Sequence, residues 1–217
     1  EENLKKVSDL LTSSYGVKVK AIQADFSVSS KPEFFEYIYK QTEGLDISIL
    51  VNNVGAGKGG LLNQLDKKII TEVNNITLLP VVMLTRLYIN DLLKRPQKSA
   101  IINLSGIASR IIIPRFSIYS SGKAFVDYLS ENMAMEYKDK IDVLSVRPHF
   151  VDTPAYRSSG GKDNYCLVKP EECAEGALSW LGRGAYYTYG APKHEIVGYF
   201  AENSDRYAMH CLRIMRG

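Results

Sequence analysis

Five short runs of β-branched, apolar or aromatic residues recur along the chain, at 17–24, 47–51, 100–104, 141–146 and 185–189, and stretches of helical period separate them. Strands that stay apolar instead of alternating with polar residues are covered on both faces. Strands alternating with helices predict a parallel sheet flanked by helices, an α/β fold. The helices are expected at 4–13, 31–41, 65–94, 116–138, 170–180 and 195–215. Pro80 falls inside the third of these, where its missing N–H and its ring are expected to kink the axis. With 217 residues, 45% of them hydrophobic, the chain can bury one sizeable core, and a single domain is expected over 1–217.

Composition narrows the functional classes. Lys+Arg 27 against Asp+Glu 24 gives a net charge of +3, and no window gathers basic residues with interleaved aromatics, so no nucleic-acid partner is expected. The apolar stretch 76–89 is broken by Pro80 and Arg86 and is shorter than the roughly 20 residues that cross a bilayer. No membrane span is therefore expected within the chain. Cys166, Cys173 and Cys211 are odd in number and lack CxxC or Cys/His ligand spacing. They read as reduced thiols, with neither a disulfide framework nor a metal site. The chain opens at Glu1 inside a charged helical pattern in which Leu4, Val7, Leu10 and Leu11 share a face. This is the pattern of a chain that begins further upstream in the natural protein.

The candidate chemistry sits where strands end, the side on which open α/β sheets bind ligands. Asn52-Asn-Val-Gly55 follows the second run, Asn103-Leu-Ser-Gly106 the third, and Pro148 to Thr153 the fourth, with Tyr119 and Lys123 between. Tyr119 and Lys123 are four residues apart on an expected helix, so their side chains leave one face a turn apart. A neighbouring ammonium favours a phenol's charged form, which would bring the tyrosine toward use as a general acid or base.

This order and spacing resembles the short-chain dehydrogenase/reductase family. NNVG, YSSGKAFVDYLS, RPHFVDTP and TYGAPKHEIVGYF resemble in particular its branch of 17β-hydroxysteroid dehydrogenases and very-long-chain 3-oxoacyl-CoA reductases. The resemblance runs from Glu1 to about Phe200. It implies a Rossmann-like doubly wound sheet, with Tyr119 protonating a developing alkoxide and Lys123 also holding the nicotinamide ribose of NADPH, or of NADH. It places Asn52 and Gly55 beside the adenosine, Asp25 with Phe26 at the turn near the adenine, and Pro148, Val151 and Thr153 around the nicotinamide carboxamide. Asp25 also reads as an ordinary turn residue before a helix.

Two family positions are occupied by other residues. The catalytic serine aligns with Gly106, and Ser105, one residue early on a strand, should point to the opposite side. The catalytic asparagine aligns with Thr77, with Asn75 as the alternative. The glycine-rich phosphate loop of the family has no counterpart in residues 1–24, so the first βαβ portion is missing from the expected fold. In the family's sheet order two further strands separate run 17–24 from run 47–51, a gap of about 14 Å, which upstream residues or a second chain are expected to fill. His194 reads as a structural residue, and His149 as a packing or substrate-contact residue. Segment 155–168 occupies the place of the family's substrate lid.

Two functions follow. One is NADPH-dependent reduction of a 3-oxoacyl-CoA or keto-steroid carbonyl, slowed by the replacements. The other is a catalytically degenerate homologue serving as accessory subunit of a larger assembly. The resemblance also implies a homo-oligomer, the endoplasmic reticulum or alternatively the mitochondrion, and membrane association through upstream residues.

Overall fold

The computed structural model describes residues 2–28 and 30–203; the expected helix beyond 203 and Cys211 lie outside them. Four parallel strands form one sheet in the order β1 (Ile49–Asn52), β2 (Ser99–Leu104), β3 (Ile141–Val146) and β4 (Tyr187–Thr188). Ile101 pairs with Val143 and Ile102 with Leu144 in the β2–β3 register. Side chains alternate across the sheet. Ile101, Ile141 and Val143 accordingly pack with Tyr88, Ile89, Leu92, Met133 and Ala134 on one face, and Ile102, Leu144 and Val146 with Ala177 on the other. This double cover explains why these runs lack polar alternation.

The helices are α1 (Glu2–Tyr15), α2 (Pro32–Lys40), α3 (Lys67–Thr77), α4 (Leu79–Lys94), α5 (Ser117–Glu136), α6 (Pro154–Ser158), α7 (Pro170–Trp180) and α8 (Pro192–Asn203). The expected kink at Pro80 is a break at Leu78, with φ −98° and ψ −54°, and Pro80 lies in the first turn of α4. There the missing N–H has no helical partner to lose. Together α3 and α4 make a run long and apolar enough to cross a bilayer by length and composition, which corrects the reading of 76–89 alone. The buried Val81, Tyr88, Ile89 and Leu92 of α4 pack in the protein's core, as a core helix does.

Residues 17–24 do not form the expected strand. They are extended and largely exposed, with no ladder partner among the described residues. A strand exists only through the hydrogen bonds of its neighbour, and apolar composition cannot substitute for them. The outer edge of β1 is open in the same way. Leu50 packs toward α4, while Ile49 and Val51, on the opposite face, are 47% and 53% exposed. Helix α1 buries none of its residues.

One crossing in the sound part of the fold is intolerant of any side chain. A Cβ at Gly176 of α7 would lie 2.0 Å from the Gly190 carbonyl oxygen, a backbone atom with nowhere to go. Gly176→Ala is expected to cost about 1–3 kcal/mol through overpacking, read as a lower urea midpoint with an unchanged slope.

Candidate active site

Parallel strands bring their carboxyl ends to one side. Asn52, Leu104 and Val146 end β1, β2 and β3 there, so Gly55, Ser105, Gly106 and the 148–153 segment share a mouth with the first turns of α5. A buried polar chain holds this end of the sheet. The Asn52 side-chain amide donates to Asn103 Oδ1 (2.8 Å) and to Thr85 Oγ1 (3.2 Å), and Asn103 Nδ2 donates to Ser130 Oγ (2.9 Å). Asn52 thus ties β1 to β2 and α4, a supporting role within the sheet.

Lys123 lies under the Gly55 backbone. Only 5% of it is exposed, its Nζ donates to the Leu104 carbonyl at 2.6 Å, and a Cβ at Gly55 would stand 3.1 Å from Nζ. The same Nζ is 5.7 Å from the centroid of the Tyr119 ring. Gly57 also lies against the ring, since a Cβ there would come 3.0 Å from it. Tyr119, partly buried, and Lys123 are therefore neighbours under the same glycine-bearing segment, as their helical spacing requires.

The expected lowering of the phenol's pKa does not follow. Burial pushes the Tyr119 hydroxyl above its usual range, because loss of water disfavours the phenolate. Burial also pulls Lys123 down to about 8. Two pH effects follow. Tyr119 stays protonated through neutrality, while Lys123 loses its charge as pH rises through about 8. Any step that needs the Lys123 charge should then hold level below about pH 7, stand near half at about pH 8 and fall further above it, as a profile of kcat/KM against pH would read. For stability the sign is opposite. The folded-state pKa lies below the model-peptide value of 10.5, so burial of the ammonium destabilises most below pH 8, and that penalty shrinks as pH rises from about 8 to 10.5.

The remaining candidates divide. Ser105 is buried and its hydroxyl donates to the Lys123 carbonyl at 2.8 Å, away from the phenol. At Gly106 there is room for a Cβ, with Pro148 O at 3.8 Å, but φ is 155°. Thr77 donates to the Ala56 carbonyl (3.3 Å), and its methyl lies 3.1 Å from where a Gly122 Cβ would be. Asn75 donates to the Ser27 carbonyl (3.1 Å), on the side of the 25–28 turn. Asp25 is exposed and caps that turn by accepting from Ser27 N–H at 2.9 Å. The Ser27 side-chain and backbone hydrogen bonds hold the carboxyl below its usual range.

On the far side of the mouth, Pro148 O accepts from Ile107 N–H (3.0 Å), and Val151 bridges Val168. Thr153 caps α6 by accepting from Tyr156 N–H at 3.2 Å, which leaves its own O–H free to donate. Helix α6 lies inside the expected lid and was missed, although Thr153-Pro154 is a cap followed by proline at the first helical position. His194 is fully buried; its Nδ1 accepts from His149 N–H (3.3 Å), and Nε2 faces the Cys166 carbonyl at 2.8 Å. Burial lowers the His149 pKa to about 4, with His194 as a second cause, so His149 is neutral in ordinary buffers. Lys123, the bare backbone at Gly55 and the free Thr153 hydroxyl thus lie around one end of the sheet.

Sequence reasoning also missed the network that fixes α5. Arg147, just beyond β3, is fully buried and donates to Asp127 Oδ1 (2.8 Å), Glu202 Oε1 (3.1 Å) and Glu131. Arg110 reaches Asp127 Oδ2 (2.9 Å) and Glu131 Oε1 (2.6 Å). The only forewarning was Asp127 and Glu131 one turn apart on α5.

Comparison with known proteins agrees with this geometry. The profile described as short chain dehydrogenase matches residues 1–164. The very-long-chain 3-oxoacyl-CoA reductase of Anas platyrhynchos is 34% identical over 204 residues, covering 92% of this chain and 64% of that protein. Its Homo sapiens counterpart is 30% identical over 208 residues, covering 94% and 64%. The chain thus spans just under two thirds of the length of these relatives. Among solved structures, a 7β-hydroxysteroid dehydrogenase superposes with a TM-score of 0.83 at 23% identity over 100% of this chain and 84% of that one. A short-chain dehydrogenase from Sphingobium yanoikuyae in complex with NADPH gives 0.79 at 23% identity, over 97% and 82%. Profile, relatives and the tyrosine–lysine pair at the mouth of a parallel sheet agree, and this chain belongs to the short-chain dehydrogenase/reductase family.

Proposed function

We propose that the protein is an NADPH-dependent reductase of a carbonyl on a 3-oxoacyl-CoA or a related keto-steroid, working at a reduced rate. The observation that carries this reading is Tyr119, whose pKa burial raises and whose ring centroid lies 5.7 Å from Lys123 Nζ. A nicotinamide held by Lys123, Gly55, Val151 and Thr153 would supply the hydride. As negative charge develops on the carbonyl oxygen, Tyr119 gives it the phenolic proton, and the Lys123 ammonium offsets the charge left on the phenolate. The activity for which these relatives are named supports the acyl-CoA substrate over the steroid.

The reduced rate follows from the hydroxyls. Ser105 is engaged with the Lys123 carbonyl and Thr77 with Ala56, so neither donates to a substrate carbonyl beside Tyr119. Gly106→Ser is expected to raise kcat about tenfold to a hundredfold by restoring one such donor, with part of the gain lost to the strain of φ 155°. The same observation favours the second reading, an accessory subunit whose chemistry has faded. Exposed Val82, Phe125, Tyr128 and Met135 on α4 and α5 support association of copies along these helices. Consumption of NADPH by the native protein with a 3-oxoacyl-CoA tests the choice. Tyr119-dependent consumption supports the reductase, and NADPH binding without it supports the accessory role.

A further inference from the structure

The segment joining β1 to α3 begins Gly55-Ala-Gly-Lys-Gly-Gly60, and its glycines are dictated by contact. A Cβ at Gly57 would meet the Tyr119 ring at 3.0 Å, one at Gly59 the Phe116 ring at 3.0 Å, and one at Gly60 the Leu65 side chain at 2.6 Å. Bare backbone therefore lies directly on the aromatic pair. Gly60 N–H donates to the Arg115 carbonyl at 2.7 Å, pinning this strap to the residues that precede α5. Arg115 itself has φ 72°, a left-handed conformation costing a non-glycine residue on the order of 1 kcal/mol.

This arrangement carries two cations beside the tyrosine–lysine pair. Lys58 sits between the glycine over Tyr119 and the glycine over Phe116, and Arg115 is the strap's anchor. Both are exposed, and neither side chain has an ion pair or hydrogen bond among the described residues. No Asp or Glu occurs in 53–65 or 106–126, the two segments that form this edge. Arg110, in the second of them, is already committed to Asp127 and Glu131. Arg157, on the far side of the mouth, is by contrast paired with Asp152 and Asp163. An edge of one sign beside a covered pocket focuses potential on anions.

We propose that Lys58 and Arg115 form an anion-binding rim that takes the phosphate groups of the substrate's head while its carbonyl lies at Tyr119. This rests on the acyl-CoA reading above and names the residues that would recognise the coenzyme A portion. Phosphate is also carried by the nicotinamide nucleotide, so the two sources are tested apart. Binding of free coenzyme A and of NADPH to the native protein is measured by calorimetry, before and after the paired change Lys58→Gln and Arg115→Gly. Glycine adopts the left-handed conformation without strain, so the second change removes charge while sparing the fold.

The expected result is coenzyme A binding weakened about tenfold or more, with a shallower salt dependence and NADPH binding within about twofold of the native value. Unchanged coenzyme A binding, no coenzyme A binding by the native protein, or a loss confined to NADPH would each overturn the rim. The reductase reading fails by a different result: no Tyr119-dependent NADPH consumption with a 3-oxoacyl N-acetylcysteamine thioester, which carries no phosphate.

Discussion

Tyr119→Phe is expected to lower kcat for carbonyl reduction by about 10²–10⁴-fold, the range by which a positioned general acid accelerates such a step. The affinity for NADPH should change little, because the ring and its contacts with the strap at Gly57 remain. The phenol cannot be replaced by a neighbour: Ser105 donates to the Lys123 carbonyl, Thr77 to Ala56, and Asn75 to Ser27. Lys123→Met makes the contrasting case. It removes the cation beside the phenol and also the donor placed under Gly55, so kcat and NADPH affinity should fall together. Steady-state kinetics with both variants separates a proton donor from a group that also holds the cofactor.

The second large effect falls on stability. Arg147→Met leaves Asp127, which is 2% exposed, without its buried guanidinium partner. Loss of one member of a buried ion pair typically costs about 3–5 kcal/mol, and Arg110 and the Ser145 hydroxyl, still on Asp127 at 2.9 and 2.5 Å, offset part of it. The Arg147 guanidinium also lies 3.5 Å from the Tyr187 ring centroid, a contact methionine replaces only as an apolar body. The double change Arg147→Met with Asp127→Leu should recover much of the loss, because no buried charge is then orphaned. Urea unfolding of the single and double variants reads both. Since the network binds α5 to the strand end and to α8, the single variant should also loosen the helix that carries Tyr119.

The legible parts of the fold were those with two neighbours. Strand β3 falls at the expected residues and β2 begins one residue early, because both are covered on two faces and so appear as unbroken apolar runs. Residues 17–24 also read as a β-prone run, with lysines alternating among the valines, and form no strand, since residue pattern says nothing of whether a ladder partner exists. The tyrosine–lysine pair was legible because helical spacing alone sets it. The direction of the Tyr119 pKa was not, because it depends on a glycine strap brought over the ring from another part of the chain. The Arg147 network was illegible for a related reason: its members come from the end of β3, from α5 and α8 and from just after the 107–109 turn, and charged residues read singly look like surface.

At the centre stands the pairing of a partly buried, protonated phenol with an amine at the open end of a parallel sheet. Transfer of deuterium tests it directly. The native protein and its Tyr119→Phe variant are each incubated with NADPH deuterated at the transferring position and a 3-oxoacyl-CoA, and the product is weighed by mass spectrometry. Deuterated 3-hydroxyacyl-CoA from the native protein, with a trace at most from the variant, is the predicted result. Equal amounts from both proteins, or none from either while NADPH is bound, would contradict it.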